Sequence, residues 1–259
     1  SYVSSGRDLL RLHPARATPG RPVIVADPLF GEPRRTAPAA RRGAGATARA
    51  PRLYFAPLSG SAVEGRAIKA LFPDARLLTG PRATKAGVEA VKAPRILHIA
   101  SHGFFLSDDE ARPAEVRNPL LRSGLALAGA NLAQGAGGDG ILTALEAADL
   151  DLRGTKLVTL SACDTGVGEV RSGEGVYGLR RAFVLAGAEA VVMTLWPVSD
   201  SIARDTMVAY YEGLRAGAGR GDALRQAKLA ILGNPKRRHP YYWASFIQSG
   251  DWTSLDGQR

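Results

Sequence analysis

Short apolar runs rich in valine, isoleucine and leucine alternate along this 259-residue chain with longer amphipathic stretches. The apolar runs predict buried strands at residues 23–28, 77–78, 96–100, 157–162, 190–196 and 242–248, with part of a hairpin at 123–128. The amphipathic stretches predict helices at residues 59–72, 84–91, 174–186, 199–215 and 222–232, and a short one that starts at a capping box at 143–146. Strands that are apolar throughout and alternate with helices are typical of an α/β fold, with a mostly parallel central sheet and helices on both faces.

Two of the predicted strands stop at residues that can do chemistry. Strand 96–100 stops just before His102, and strand 157–162 stops just before Cys163. Because parallel strands bring their carboxyl ends to one edge of the sheet, we expect both side chains to face one crevice. A thiolate is a nucleophile, and a histidine beside it can accept the thiol proton and later protonate a leaving amine. Taken singly, Cys163 is equally well explained as a small buried hydrophobic residue, and His102 as a polar residue whose hydrogen bonds are satisfied within the fold. Their matching positions at the strand ends favour a catalytic pair.

A glycine follows the histidine directly, at position 103. The absence of a side chain there leaves room for a substrate to approach the backbone. We expect the backbone N–H groups of Gly103 and Cys163 to form an oxyanion hole for the tetrahedral intermediate of acyl transfer.

The composition excludes several classes of protein. Cys163 is the only cysteine, so disulfide scaffolds and thiolate metal sites are excluded, and a reducing cytoplasm fits best. No run of eighteen apolar residues is present, and residues 1–7 lack the apolar region of a secretory signal, so no membrane partner is expected. The four histidines are scattered, and no metal or other cofactor is predicted.

The formal charge of +10 is concentrated at the amino-terminal end. Residues 1–52 contain ten arginines against three acidic residues and carry +7 of it. Such a segment could contact nucleic acid, but no aromatic residues interleave with the arginines, and no nucleic-acid partner is expected. Residues 32–51, rich in arginine, proline and alanine, are interpreted as a long, exposed, mobile loop.

The two motifs resemble those of a known family. Residues 96–105 resemble the histidine motif of CHAT domains, which are caspase-like peptidase domains often found after tetratricopeptide repeats, and residues 160–168 resemble their cysteine motif. The similarity continues through 173–179, 181–183, 186–188, 195–200 and 239–246. It implies a single peptidase domain over residues 1–259, with the three-layer sandwich of caspases and separase and a His102–Cys163 dyad. It also implies an upstream repeat domain or another activating partner.

The segment 195–200 also resembles a motif of separase, in which the last aspartate helps to hold an arginine at P1, the substrate residue before the scissile bond. By this resemblance Asp200 lines the S1 pocket, where a carboxylate suits a guanidinium. The alternative is an acidic residue at a helix N-terminus, which the helix dipole favours. Asp164 and Glu174 are further S1 candidates, and a turn cap and a helix start explain them as well. His98 and His239 are interpreted as packed or structural residues.

These observations predict a cysteine endopeptidase that cleaves a protein or peptide substrate after a basic P1 residue, in a regulated bacterial signalling, defence or cell-death pathway. The alternative is a non-catalytic CHAT-type scaffold that binds protein partners. A third, weaker interpretation is a nucleic-acid-associated protein that uses the basic segment.

Overall fold

The computed structural model describes residues 20–32, 53–106, 119–132, 140–164 and 174–257, and of residues 119, 162–164 and 174–177 the backbone alone. Eight strands form one sheet: β1 Val23–Pro28, β2 Arg76–Gly80, β3 Ile96–Phe105, β4 Ser123–Ala126, β5 Ile141–Thr143, β6 Leu157–Asp164, β7 Ala190–Thr194 and β8 Phe246–Gly250. The main path runs β2-β1-β3-β6-β7-β8, parallel except for β8 at one edge. β4 pairs antiparallel with the end of β3 and with β5.

The helices of the described residues lie on both faces of this sheet. They are α1 Ser59–Leu71, α2 Lys85–Glu89, α3 Ala144–Ala148, α4 Glu174–Leu185, α5 Asp200–Arg215, α6 Arg220–Gly233 and α7 Pro240–Trp243, with 3-10 turns at Pro119–Leu121 and Pro235–Arg237. Two predicted caps are confirmed. Thr84 accepts a hydrogen bond from the N–H of Gly87 at the start of α2, and Thr143 forms a capping box with Glu146 at the start of α3.

Alternation along the strands divides the buried side chains between two cores. Ile24, Ile96 and Ala100 pack with α1, α5 and α6 on one face. Leu97 and Ile99 pack with α2, α3 and α4 on the other. Both faces of the parallel strands are therefore buried, which is why these strands are mostly apolar on both faces. The predicted α/β architecture with three layers is confirmed.

The two strands that carry the candidate residues are longer than predicted. Strand β3 continues to Phe105 because residues 103–105 pair with β4 on one side, and β6 continues to Asp164 because it stays paired with β3 as far as Gly103. The prediction that His102 and Cys163 lie just past the ends of their strands is therefore wrong. Both residues lie within strands.

The carboxyl-terminal strand starts later than the sequence predicts. Residues 240–243 form a short helix with Pro240 in its first turn, and the strand covers 246–250. His239 precedes this helix, and its Nδ1 accepts a hydrogen bond from the N–H of Tyr241 at 3.2 Å, so its role is a structural cap. Strand β7 ends at Thr194, before the predicted limit of 196. The loop predicted at 32–51 falls almost entirely outside the described residues.

Candidate active site

The sheet places positions 102 and 163 side by side. In the parallel register of β3 and β6, His102 is the direct partner of Cys163, and Gly103 is the partner of Asp164. Neighbouring strands are about 4.8 Å apart, and residues in register belong to the same face of the sheet. The backbone therefore brings together the two residues that the sequence predicts as a pair. The roles of Cys163 as nucleophile and His102 as base and acid stay a prediction.

The imidazole of His102 is 3% exposed and packs among aromatic rings. Its ring centroid lies 5.2 Å from that of Phe30 and 5.8 Å from that of Phe55, which is stacked on it. Its Nε2 lies 2.7 Å from the carbonyl oxygen of Ala56. Because a carbonyl oxygen only accepts, Nε2 carries the hydrogen of this bond. The neutral ring then has its lone pair on Nδ1, which has no hydrogen-bond partner among the described residues.

Burial controls the charge of this histidine. Desolvation lowers the pKa of His102 below its ordinary value, while the hydrogen bond to Ala56 and the negative charge of Asp200 act in the opposite direction. The net result is a lowered pKa, so the ring is neutral at neutral pH and able to accept a proton. A neutral imidazole is the form that a general base requires.

The contact with Ala56 has no signature in the sequence. Residues 53–58 belong to no helix or strand, and the group that touches His102 is a backbone carbonyl, which every residue type carries. The aromatic residues at 30 and 55 are visible in the sequence, but they are separated from His102 by 72 and 47 positions. Only the tertiary structure brings them to the ring.

Gly103, the predicted oxyanion donor, is paired on both sides. Its partners are Leu125 on β4 and Asp164 on β6, and it is the last residue that β3 pairs with β6. A role for its N–H in an oxyanion hole requires that this group is not committed to a neighbouring strand. The role stays a prediction, as does that of the Cys163 N–H.

Asp200 is the first residue of α5 and is exposed. Its Oδ2 accepts a hydrogen bond of 3.1 Å from the N–H of Gly60, the second residue of α1. The carboxylate thus lies at the N-termini of two helices, where backbone N–H groups and the helix dipole favour negative charge. A glycine is needed at position 60 because a Cβ there would overlap with the Cβ of Asp200.

The other two S1 candidates are located by their backbone alone. Asp164 is the last residue of β6, at the same end of the sheet as His102, and Glu174 is the first residue of α4. No set of three histidine, cysteine, aspartate or glutamate side chains that could hold a metal ion is found within the described ranges. In the same ranges no helix is both long enough and apolar enough to cross a membrane.

His98 is the packed strand histidine that the sequence predicts. It is fully buried, and its Nδ1 lies 3.1 Å from the hydroxyl of Tyr211. Its Nε2 lies 3.1 Å from Oε1 of Glu64, without the angular geometry of a hydrogen bond. These contacts are all in the core beneath α1 and α5, and they give His98 a structural role.

The family model of the CHAT domain matches residues 1–251. The chain belongs to the CHAT domain family. Two curated relatives of this CHAT domain are tetratricopeptide repeat protein 28 of Homo sapiens and of Mus musculus, each 34% identical over 116 residues. The match covers 45% of this chain and only 5% of the length of each relative.

Among solved structures, the CHAT domain is similar to the crystal structure of the Arg-specific cysteine proteinase gingipain R. The superposition has a TM-score of 0.53 at 12% identity and covers 90% of this chain and 46% of the other. At this level of identity the likeness concerns the fold, and it agrees with the fold class predicted from the sequence.

Proposed function

We propose that this CHAT domain is a cysteine endopeptidase in which Cys163 is the nucleophile and His102 the general base and acid. The observation that carries the proposal is the direct pairing of these two positions in adjacent strands. It is supported by the environment of His102, whose Nε2 is committed to Ala56 while the Nδ1 lone pair has no partner among the described residues.

The proposed reaction follows from this arrangement. Nδ1 of His102 takes the thiol proton of Cys163, and the sulfur attacks the carbonyl carbon of the scissile peptide bond. The tetrahedral intermediate collapses as the imidazolium gives that proton to the leaving amine, which departs and leaves a thioester. Water then attacks the thioester with His102 again as base, which releases the acid and restores the thiol. The N–H groups of Gly103 and Cys163 are the proposed donors to the oxyanion.

The proposed preference for arginine or lysine at P1 rests on Asp200. Only its Oδ2 is engaged by Gly60, and the exposed carboxylate keeps the capacity to accept a further charged donor. Asp164 and Glu174 are proposed as secondary contributors to the same pocket. Asp200→Asn tests this directly, because the amide oxygen can still accept from Gly60 while the charge is lost. We expect a selective loss of substrates with a basic P1 residue, and no such loss in Asp222→Asn, which changes an exposed acid in the first turn of α6. An equal loss for all P1 residues would assign Asp200 a structural role.

The biological setting is proposed from the relatives. Both carry tetratricopeptide repeats in their names, and the match covers a small part of their length. We therefore propose that this domain works beside a repeat region or an equivalent partner that recruits the substrate or controls access to the site. The proposed setting is a regulated signalling, defence or cell-death pathway.

A cleavage screen against a whole proteome tests the catalytic proposal, because every protein in the mixture is a candidate substrate. The wild-type chain and the variants Cys163→Ala, His102→Gln and His239→Gln are incubated with a cell proteome, and new N-termini are identified by mass spectrometry. We expect cleavage by the wild type and by His239→Gln, and a loss of about 1,000-fold or more in the other two variants. Cleavage by Cys163→Ala at the wild-type rate would refute the mechanism.

A second measurement uses the fact that Cys163 is the only thiol. The rate of its alkylation by iodoacetamide reports how readily this one sulfur is deprotonated. We expect His102→Gln to slow alkylation at neutral pH to the rate of an ordinary thiol, and His239→Gln to leave it unchanged. If His102→Gln has no effect on alkylation and the wild type cleaves nothing, the non-catalytic scaffold is the better description.

A further inference from the structure

The buried side chain of Asn131 lies at the centre of the contacts that hold His102. Asn131 is 6% exposed and belongs to the turn that follows β4. Its Oδ1 accepts a hydrogen bond from the N–H of Phe55 at 3.0 Å, and its Nδ2 donates to the carbonyl of the same residue at 2.9 Å. The second hydrogen of Nδ2 is donated to the carbonyl of Gly31 at 2.8 Å. One planar amide therefore satisfies both backbone groups of Phe55 and a carbonyl of the segment after β1.

The backbone of Asn131 adds a further bond to that segment. Its N–H donates to the carbonyl of Phe30 at 3.0 Å. Asn131 thus hydrogen-bonds to two separate pieces of chain, residues 30–31 and residue 55, whose rings also contact each other.

These are the pieces of chain that touch the catalytic histidine. The ring of Phe30 and the ring of Phe55 contact the imidazole of His102, and the carbonyl of Ala56, the next residue along, accepts from its Nε2. Asn131 itself makes no contact with His102 in any of these interactions. It acts one step away, through the backbone that carries them.

The segment that carries the Ala56 carbonyl makes few hydrogen bonds. Residues 53–57 form no backbone-to-backbone hydrogen bond with any other described residue, and they belong to no strand or helix. Within the part of the chain that the structure describes, its hydrogen bonds are the two of Phe55 with Asn131 and that of Ala56 with His102, beside the packing of the Phe55 ring against Phe30 and Phe104. The ring packing holds the side chain of Phe55, whereas the amide of Asn131 pairs with the backbone of the same residue, next to the Ala56 carbonyl.

We propose that Asn131 is a positioning residue for His102. By clamping Phe55 it sets the Ala56 carbonyl against Nε2, and this keeps the proton on Nε2 and the lone pair on Nδ1. Asparagine suits the task because it offers two donors and an acceptor in one plane. Aspartate has no donor when ionised, and an apolar residue has neither a donor nor an acceptor in its side chain. The catalytic consequence rests on the proposed cysteine endopeptidase, whereas the effect on the ring itself does not.

The test measures the protonation of the ring directly. The full chain is labelled with 15N-histidine, and because it has only four histidines, the His102 ring signals are assigned by their loss in His102→Gln. The ring nitrogen shifts distinguish the protonated from the unprotonated nitrogen. The variants are Asn131→Asp, which keeps the shape and the acceptor, and Asn131→Ala. The control is Gln248→Ala, which removes an equally buried amide, 6% exposed, that donates to the carbonyl of Asp251 away from the site.

We expect the wild type and Gln248→Ala to carry the proton on Nε2, and both Asn131 variants to show shifts averaged between the two tautomers. We also expect alkylation of Cys163 at neutral pH to slow by about 10- to 100-fold in the Asn131 variants, as a misplaced catalytic group does elsewhere. If Asn131→Ala fails to fold, Asn131→Asp carries the test.

The outcomes separate the two proposals. A folded Asn131→Asp with the wild-type His102 tautomer and alkylation rate overturns the positioning role, whatever the protein cleaves. A shifted tautomer in the Asn131 variants, together with a wild type that cleaves no substrate, confirms the positioning role and refutes the endopeptidase.

Discussion

Two adjacent tyrosines on α5 provide a sharp test of how buried hydroxyls act in this core. Tyr210 and Tyr211 are both fully buried, and burial raises the pKa of each, so both hydroxyls stay protonated in any ordinary buffer. The hydroxyl of Tyr211 donates to Oγ1 of Thr159 at 2.8 Å and lies 3.1 Å from Nδ1 of His98. The hydroxyl of Tyr210 has no hydrogen-bond partner among the described residues. Removing one oxygen from each side chain therefore has opposite consequences.

The expected magnitudes follow from these contacts. Tyr211→Phe removes two hydrogen bonds and leaves a ring nitrogen of His98 and the hydroxyl of Thr159 buried without that partner, at about 1–3 kcal/mol each. The hydroxyl that is removed no longer has to be desolvated, which offsets part of this cost, so we expect a net loss of about 2–4 kcal/mol in the free energy of unfolding. Tyr210→Phe removes a hydroxyl that was desolvated without compensation, and we expect a gain of about 1 kcal/mol.

Urea unfolding followed by circular dichroism measures both variants, and unchanged m-values show that the folded and unfolded states stay comparable. For a chain of this size, each kcal/mol corresponds to a shift of about 2–4 °C in the thermal midpoint. A double-mutant cycle of Tyr211→Phe with Thr159→Val isolates the hydrogen bond between these two side chains. Equal free energies of unfolding for Tyr210→Phe and Tyr211→Phe would refute the reasoning, because both variants lose the same atom from the same helix.

Three further predictions use the same unfolding assay. His102→Gln removes a group whose pKa is lowered in the folded state, so below about pH 6.5 the folded wild type binds fewer protons at this position than the unfolded chain. The wild type is therefore expected to lose more stability than the variant as the pH falls from about 7 to about 5, and parallel profiles of stability against pH would contradict this. Gly60→Ala places a Cβ in overlap with that of Asp200 and is expected to lower the free energy of unfolding by about 1–3 kcal/mol, whereas Gly233→Ala, whose added Cβ has no atom within 4 Å, is tolerated. Equal effects of the two substitutions would show that the contact with Asp200 relaxes freely. Arg220→Met leaves three backbone carbonyls and the facing carboxylates without the buried cation that they bind, and is expected to cost about 3–5 kcal/mol. A loss below about 1 kcal/mol would show that these groups find other partners.

The existence and type of most elements could be predicted because the signals are local. An apolar run such as 96–100 or 190–194 needs no information from the rest of the chain to indicate a buried strand. The caps at Thr84 and Thr143 were equally predictable, since a cap and its acceptor lie within three residues.

The ends of the strands are harder to predict because pairing partners decide them. No pattern in residues 101–105 indicates that residues 103–105 pair with β4, yet this pairing extends β3 past His102. At this strand end, tertiary context overrides the local pattern. Position 240 is a different case: the first-turn proline and the His239 cap are local signals for a helix, in a stretch whose aromatic residues suggested a strand.

By itself, the sequence determined the fold class, the order of most strands and helices, and the candidate pair His102 and Cys163, because each depends on patterns and motifs within short segments. Only the tertiary structure decided that the two positions are direct partners in register. It alone placed the Ala56 carbonyl on the histidine ring and made Asn131, 76 positions from Phe55, the residue that holds this contact. The physical reason is that these contacts join segments far apart in the chain through backbone groups, which every residue type shares and no sequence pattern marks.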